Sequence, residues 1–214
     1  NTTTRAGQLY EVDMRLRPSG ASGMIAASMR AFDNYQMQEA WTWEHQALIR
    51  ARIICGHSQL GEQYLQIRRQ ILTKPRNLPI LMQEVSEMRQ KMRMNLGAQS
   101  IGKTSFQLKQ DAGGIVDIEF LVQYLVLAHA KEQPSLLQWT DNVRLLETLT
   151  TLGLLDTQQS DALYQAYIAY RTFAHRRALQ NQPLLLNPDE LDQAGLSPHI
   201  ATVKTLWQKV VEGG

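Results

Sequence analysis

Leu-Tyr-Glu-Val-Asp-Met-Arg-Leu-Arg-Pro, residues 9 to 18, is the stretch in which strand periodicity and chemically loaded side chains coincide. Tyr10, Val12, Met14 and Leu16 alternate with Glu11, Asp13, Arg15 and Arg17. Successive side chains of a strand point to opposite faces, so the first set would lie on a core and the second would align two carboxylates with two guanidiniums. Two readings of that charged face are open. It is the outer side of an amphipathic edge strand, or it is a site for a metal-bound nucleotide, where a carboxylate holds a hard divalent cation and arginines neutralise phosphate oxygens.

Upstream, the polar, β-branched opening Asn1–Thr4 reads as a loop and suggests a piece of something longer. Downstream, Pro18, Gly20 and Gly23 mark a turn, Met24 to Ala27 a further short strand, and Ser28 the N-cap of a helix carrying Met29, Phe32, Tyr35 and Gln36. Helical periodicity then governs the chain. A helix over Thr42 to Ile54 places Trp41, Glu44, His45, Leu48 and Arg52 on one face. That face either packs on the charged side of the strand and extends a site, or Trp41 and Trp43 anchor the core while Glu44, Arg50 and Arg52 form surface pairs. Cys55, after two isoleucines, reads as a small buried hydrophobe.

Further amphipathic helices are expected over Ser58 to Leu72, with Leu60, Tyr64, Ile67 and Ile71 inward, and over Leu81 to Leu96, with Leu81, Val85, Met88 and Met92 inward and a Glu87–Lys91 pair outside. Gly97 suits the residue after a helix end, and Ala98 to Ser105 reads as a loop. Phe106 to Phe120 is the second informative stretch: a short extended piece, Gly113-Gly114, then a helix. Strand, double glycine and helix often serve phosphate, but Asp117 and Glu119 in the first turns would repel a bare anion and call for a metal, an arginine or a tyrosine hydroxyl. They also stand as plain first-turn acids, with Ile115, Ile118, Val122 and Leu125 buried. Helices over Asn142 to Leu152, Thr157 to Gln180 and about His199 to Val211 complete the chain, and His175, Arg176 and Arg177 suit the C-terminal dipole of the second.

With 214 residues, 43% of them hydrophobic, the chain can bury a sizeable core. Its 22 basic and 20 acidic residues leave a formal charge of +2, too slight to point to nucleic acid or an anionic membrane. One cysteine and no charged-then-apolar leader make a reducing cytoplasm the expected compartment. The apolar run Phe120 to Ala130 is broken by Gln123 and His129 and is shorter than the roughly 18 residues of a membrane helix.

Three blocks, Leu9 to Pro18, Trp41 to Arg52 and Gly113 to Phe120, resemble in order and approximate spacing those of the bacterial glutamine synthetase adenylyltransferase family. The resemblance runs over almost the whole chain and is nearest the C-terminal, adenylylating half. It implies a mainly α fold, with a helical bundle over residues 28–214 preceded, over 1–27, by the last strand or strands of a nucleotidyltransferase domain similar to DNA polymerase β. The activity implied is transfer of AMP from ATP to a tyrosine of glutamine synthetase, with Mg²⁺ as cofactor and the PII signalling protein as a further partner.

Asp13 resembles the third metal carboxylate of such a site. The resemblance implies that it holds Mg²⁺ and helps deprotonate the acceptor tyrosine as that oxygen attacks the α-phosphorus in line and pyrophosphate leaves. Arg15 and Arg17 would steady the nucleotide or the strand, with Glu44, Arg50, Arg52, Asp117 and Glu119 around them. The family's Gly-Ser helix start and Asp-x-Asp pair belong upstream of this strand, and residues 1–12 contain neither. The chain is therefore expected to be inactive alone. The adenylyl-removing half, or a helical binding and regulatory module for glutamine synthetase and PII, are the alternatives.

Overall fold

The computed structural model describes residues 3–5, 7–8, 14, 17–98 and 105–213. The strand expected over Leu9 to Pro18, including Asp13 and Arg15, falls almost entirely outside them. Before it, β1 (Thr3–Thr4) pairs antiparallel with β2 (Gly7–Gln8), where a loop was expected. After it, Met24 to Ala27 is not a strand. A 3₁₀ turn over Gly20–Ser22 is followed by irregular chain as far as Ser28, and Met24 and Ile25 are exposed, with no strand pairing them among the described residues.

Nine α-helices follow among the described residues, mainly as the periodicity predicts. They are α1 (Met29–Gln38), α2 (Thr42–Arg50), α3 (Ser58–Leu72), α4 (Leu78–Leu96), α5 (Ile115–His129), α6 (Asn142–Thr151), α7 (Thr157–Leu179), α8 (Pro188–Gln193) and α9 (Ser197–Val211). Side-chain caps fix most of their starts: Ser28, Asn77, Asp141, Asp156 and Asn187 each accept a backbone N–H one turn on. β3 (Phe106–Gln107) and β4 (Leu185–Leu186) clip the α4–α5 connection to the α7–α8 connection. Asp111 closes the first of these, accepting from Ala98 N at 2.9 Å and Gln107 N at 2.7 Å.

The core is built around α5. Twelve of its fifteen residues are buried, so it is apolar all round rather than amphipathic, the pattern of a helix enclosed by others. It packs against α2, α4, α6, α7 and α9. The double glycine makes this close packing possible. Gly113 has φ +85°, and a Cβ there would lie 2.5 Å from the carbonyl oxygen of Ile200 in α9; one on Gly114 would run into the carbonyl of Leu108. The glycines are filled by protein on the side where a phosphate cradle would have to open. No described helix is long and apolar enough to cross a membrane.

Five further expectations change. α2 stops at Arg50 instead of continuing to Ile54, because the Arg68 guanidinium of α3 takes the end carbonyls, Nε to Leu48 O at 3.0 Å and Nη2 to Ile49 O at 2.7 Å. Past that stop Ile53, Ile54 and Cys55 are exposed, so Cys55 is not a core residue. Trp41 (71% exposed) and Trp43 (36%) do not anchor the core, since Glu44 and His45 take the inward side of α2. Leu60 is exposed, and Glu87 accepts from Gln83 Nε2 at 2.8 Å in place of the expected lysine pair, whereas Gly97 follows the end of α4 as expected.

Gly113→Ala should destabilise the chain by at least roughly 1–2 kcal/mol from the left-handed backbone alone, and by more because Ile200 must retreat. Urea unfolding of the two proteins, with midpoint and slope compared, measures it.

Candidate functional site

Arg17 is the only described one of the three charged residues expected on the strand to form the centre of the site. It is turned back on its own turn. Its guanidinium donates to the carbonyls of Met14, Gly23 and Ala21, the last two at 3.2 and 3.3 Å, which braces the Pro18–Gly23 segment. Next to it, Arg17, Phe32, Gln36, Glu44, Leu48 and Tyr64 border a mostly apolar cleft of about 190 Å³ between the turn and α1, α2 and α3.

Glu44 lies at this cleft, with both oxygens occupied: Oε1 accepts from the Tyr35 hydroxyl at 2.8 Å and Oε2 from Trp41 N at 2.9 Å, closing the N-terminus of α2. Burial and this acid together push the Tyr35 hydroxyl above its ordinary pKa. His45 is buried beside it. Its Nε2–H donates to Gln36 O at 3.0 Å, and Nδ1 accepts from Arg76 Nη2 at 3.1 Å, the tautomer that satisfies both neighbours. Burial lowers its pKa against the opposing pull of the Gln36 carbonyl, and Arg76 and Lys74 lower it further. His45 is thus a neutral brace between α1, α2 and the α3–α4 connection.

Arg50 and Glu119, far apart in sequence, meet. Arg50 Nη1 donates to Glu119 Oε1 at 2.7 Å and the Tyr167 hydroxyl reaches the same oxygen at 3.5 Å, so α2, α5 and α7 share one carboxylate. Asp117 is more deeply committed. Wholly buried at 0% exposure, it accepts from Arg89 Nε at 2.6 Å, from Arg93 Nη2 at 3.1 and 3.0 Å, and from Gly113 N at 2.7 Å. Arg89, also at 0% exposure, donates to Gln110 O at 2.6 Å as well. Tyr170 adds a bond to Gly113 O at 2.9 Å, and burial, then Asp117, drives its pKa far upward. Arg52 stands apart and exposed.

The structure therefore gathers the expected residues into three places. Arg17 and Glu44 border the cleft, Arg50 and Glu119 form a half-buried pair, and Asp117 sits in the core with two arginines that the sequence reading did not single out. Arg89 left a legible signal: it lies one turn after Val85 and two after Leu81, on the inward face, where a charge requires a buried partner. The sequence marks Gln36 only as a helix residue and Tyr64 only as part of the inward stripe of α3, and no local pattern points to either as a site residue.

A family model of glutamate-ammonia ligase adenylyltransferase matches residues 1–67, and one of PII-uridylyltransferase matches residues 83–183. A bifunctional glutamine synthetase adenylyltransferase/adenylyl-removing enzyme of Pseudomonas syringae pv. tomato is 53% identical over 199 residues, 88% of this chain. The chain belongs to the glutamine synthetase adenylyltransferase family. Relatives of the same name in Pseudomonas aeruginosa and Pseudomonas putida are 53% identical over 84% of the chain and 45% identical over 96% of it. The chain spans about a fifth of the length of these relatives (20%, 19% and 22%).

Two outcomes follow for the buried groups. Asp117→Asn should cost about 3–5 kcal/mol because it leaves Arg89 charged and unpaired in the core, whereas Glu119→Gln should cost less than about 1 kcal/mol because its partner Arg50 is partly in water; urea midpoints measure both. For His45 the folded pKa lies below the ordinary 6.5, so as pH falls through 6.5 the unfolded chain takes up a proton that the folded one refuses. Stability should then fall by at most about 1.4 kcal/mol per pH unit until the folded pKa is reached. Unfolding midpoints at pH 7.5 and 5.5 should differ less in His45→Gln than in the parent.

Proposed function

We propose that this chain takes part in transferring AMP from ATP to a tyrosine of glutamine synthetase, as part of the adenylylating half of a bifunctional cytoplasmic protein that controls nitrogen assimilation. The observation that carries the reading is 53% identity over 88% of the chain to a relative whose name states both adenylyltransferase and adenylyl-removing activity. In this reading residues 1–27 close a nucleotidyltransferase domain and residues 28–214 form the helical domain that follows.

Asp13 is the carboxylate at the reacting group, and Arg15 steadies the nucleotide. Arg17, with its guanidinium on three turn carbonyls, holds the strand end in place. Bound Mg²⁺ would polarise phosphate oxygens and offset their charge. The described acids do not fit it: no three His, Cys, Asp or Glu side chains among the described residues could hold a metal, and Glu44, Asp117 and Glu119 are each taken by protein donors. Within the chain the metal is assigned to Asp13, and the helical domain supplies shape and support.

A second reading has its own observation, the match of residues 83–183 to the PII-uridylyltransferase model. It makes the helical part a regulatory module that docks PII or glutamine synthetase. The adenylyl-removing activity is the third, since the relatives' name carries both. Labelled AMP transfer from ATP to glutamine synthetase separates them. In the full-length protein Asp13→Asn should lower transfer by about 100-fold or more while complex formation persists. Lost binding with intact transfer after changing the helical surface would favour the module, and phosphate-dependent release of ADP from modified glutamine synthetase would favour removal. Turnover by residues 1–214 alone would overturn the expectation that they are inactive by themselves.

A further inference from the structure

The cleft beside Arg17 holds polar capacity that the fold leaves unused. Gln36 is 6% exposed, yet its carboxamide oxygen has no hydrogen-bond partner among the described residues, and neither has the buried hydroxyl of Tyr64; both side chains line the cleft. Buried polar atoms are normally paired, so two orphans on one cavity are a feature to explain. The other polar groups there are spent. Both Glu44 oxygens are accepting, and Arg17 is committed to backbone carbonyls.

Those leftovers describe a ligand. They are neutral, the Glu44 carboxylate stands beside them, and the other walls are apolar, so an anion is disfavoured. At about 190 Å³ the space is smaller than the roughly 300–1,000 Å³ of sites for drug-sized molecules and suits one small ring system. Phe32 and Tyr64, with ring centroids 6.0 Å apart, give it an aromatic wall. A carboxamide presents a donor and an acceptor side by side, the complement of adenine's N7 and N6–H₂ edge. The Gln36 oxygen is covered in the free protein, and rotation about the soft terminal torsion of a glutamine turns the amide into the cleft.

We infer that this cleft receives the adenine base of the nucleotide, with Gln36 reading its amino edge. The assignment rests on the adenylyl-transfer reading. Position supports it as well: Asp13 precedes Arg17 by four residues, so chain length alone keeps its Cα within about 14 Å of that of Arg17 on the cleft's border.

Adenosine, which needs neither metal nor phosphate contacts, is the probe, and purine riboside, which lacks the amino group, is its control. In ¹⁵N–¹H spectra of the 214-residue chain, adenosine should shift the amides of residues 32–36 and 47–51 and bind about tenfold tighter than purine riboside, the worth of one good hydrogen bond. That preference should vanish in Gln36→Leu and survive in Tyr64→Phe. If Gln36→Leu does not fold, the wild-type preference decides alone. No shift at these amides with millimolar adenosine, or an equal response to the two nucleosides, overturns the assignment. Adenosine binding here in a protein that transfers no AMP would uphold the pocket and sink the transfer reading; intact Asp13-dependent transfer with no adenosine response would do the reverse.

Discussion

One carboxylate holds the helical domain together. Asp117 brings the first turn of α5 against α4 through Arg89 and Arg93 and fixes the entry to α5 through Gly113 N. The carbonyl of the same glycine takes the Tyr170 hydroxyl from α7, and its Cα face lies on α9. Replacing such a pair with well-packed apolar side chains often costs nothing, so its presence is no measure of stability. What it does is limit alternatives. With four hydrogen bonds from three donors converging on one acid, any slip of α5 along its neighbours strands a buried charge, and an apolar helix surrounded by apolar helices has little else to set its register.

The half of the fold nearest the cleft is fixed by the same kind of contact at lower stakes. Arg68 ends α2 by taking its carbonyls, Lys74 takes the Met37 carbonyl of α1 at 3.0 Å, and His45 spans α1 and the α3–α4 connection. Long side chains from α3 and its C-terminal flank thus do for α1 and α2 what C-capping glycines do elsewhere. The result is a rigid frame around a small apolar space, with the Glu44 capping box at its edge.

This pattern explains which parts of the chain were legible. α3 was read correctly at both ends because its signals are local: an apolar stripe and Pro75 beyond its last residues. The end of α2 was not, because the group that stops it lies eighteen residues beyond its last residue. Gly113-Gly114 invites a phosphate reading that the acids after it oppose, because glycine marks close approach without saying to what; the approach is to α9 and to Leu108. The acids after it were read with the right partners in kind, arginine and tyrosine, though only the fold could pair Asp117 with α4 and Glu119 with α2. Trp41 and Trp43 misled because residue type argues for burial, while Glu44 and His45 hold the inward positions through polar bonds.

The gathering of motifs into separate places also assigns them different work. Among the described residues, Asp117 and Glu119 serve the interior, whereas Arg17 and Glu44 border the cleft. A mostly apolar space with two unpaired polar groups is tolerable in a free protein only because the penalty is small and local, whereas unpairing Asp117 would unseat the central helix. The deeply paired charges set the scaffold, and two of the buried polar atoms without a partner among the described residues, on Gln36 and Tyr64, belong to side chains that line the cleft. In the proposed reading, recognition belongs to the cleft between the Arg17 turn and α1 to α3 rather than to the helical core.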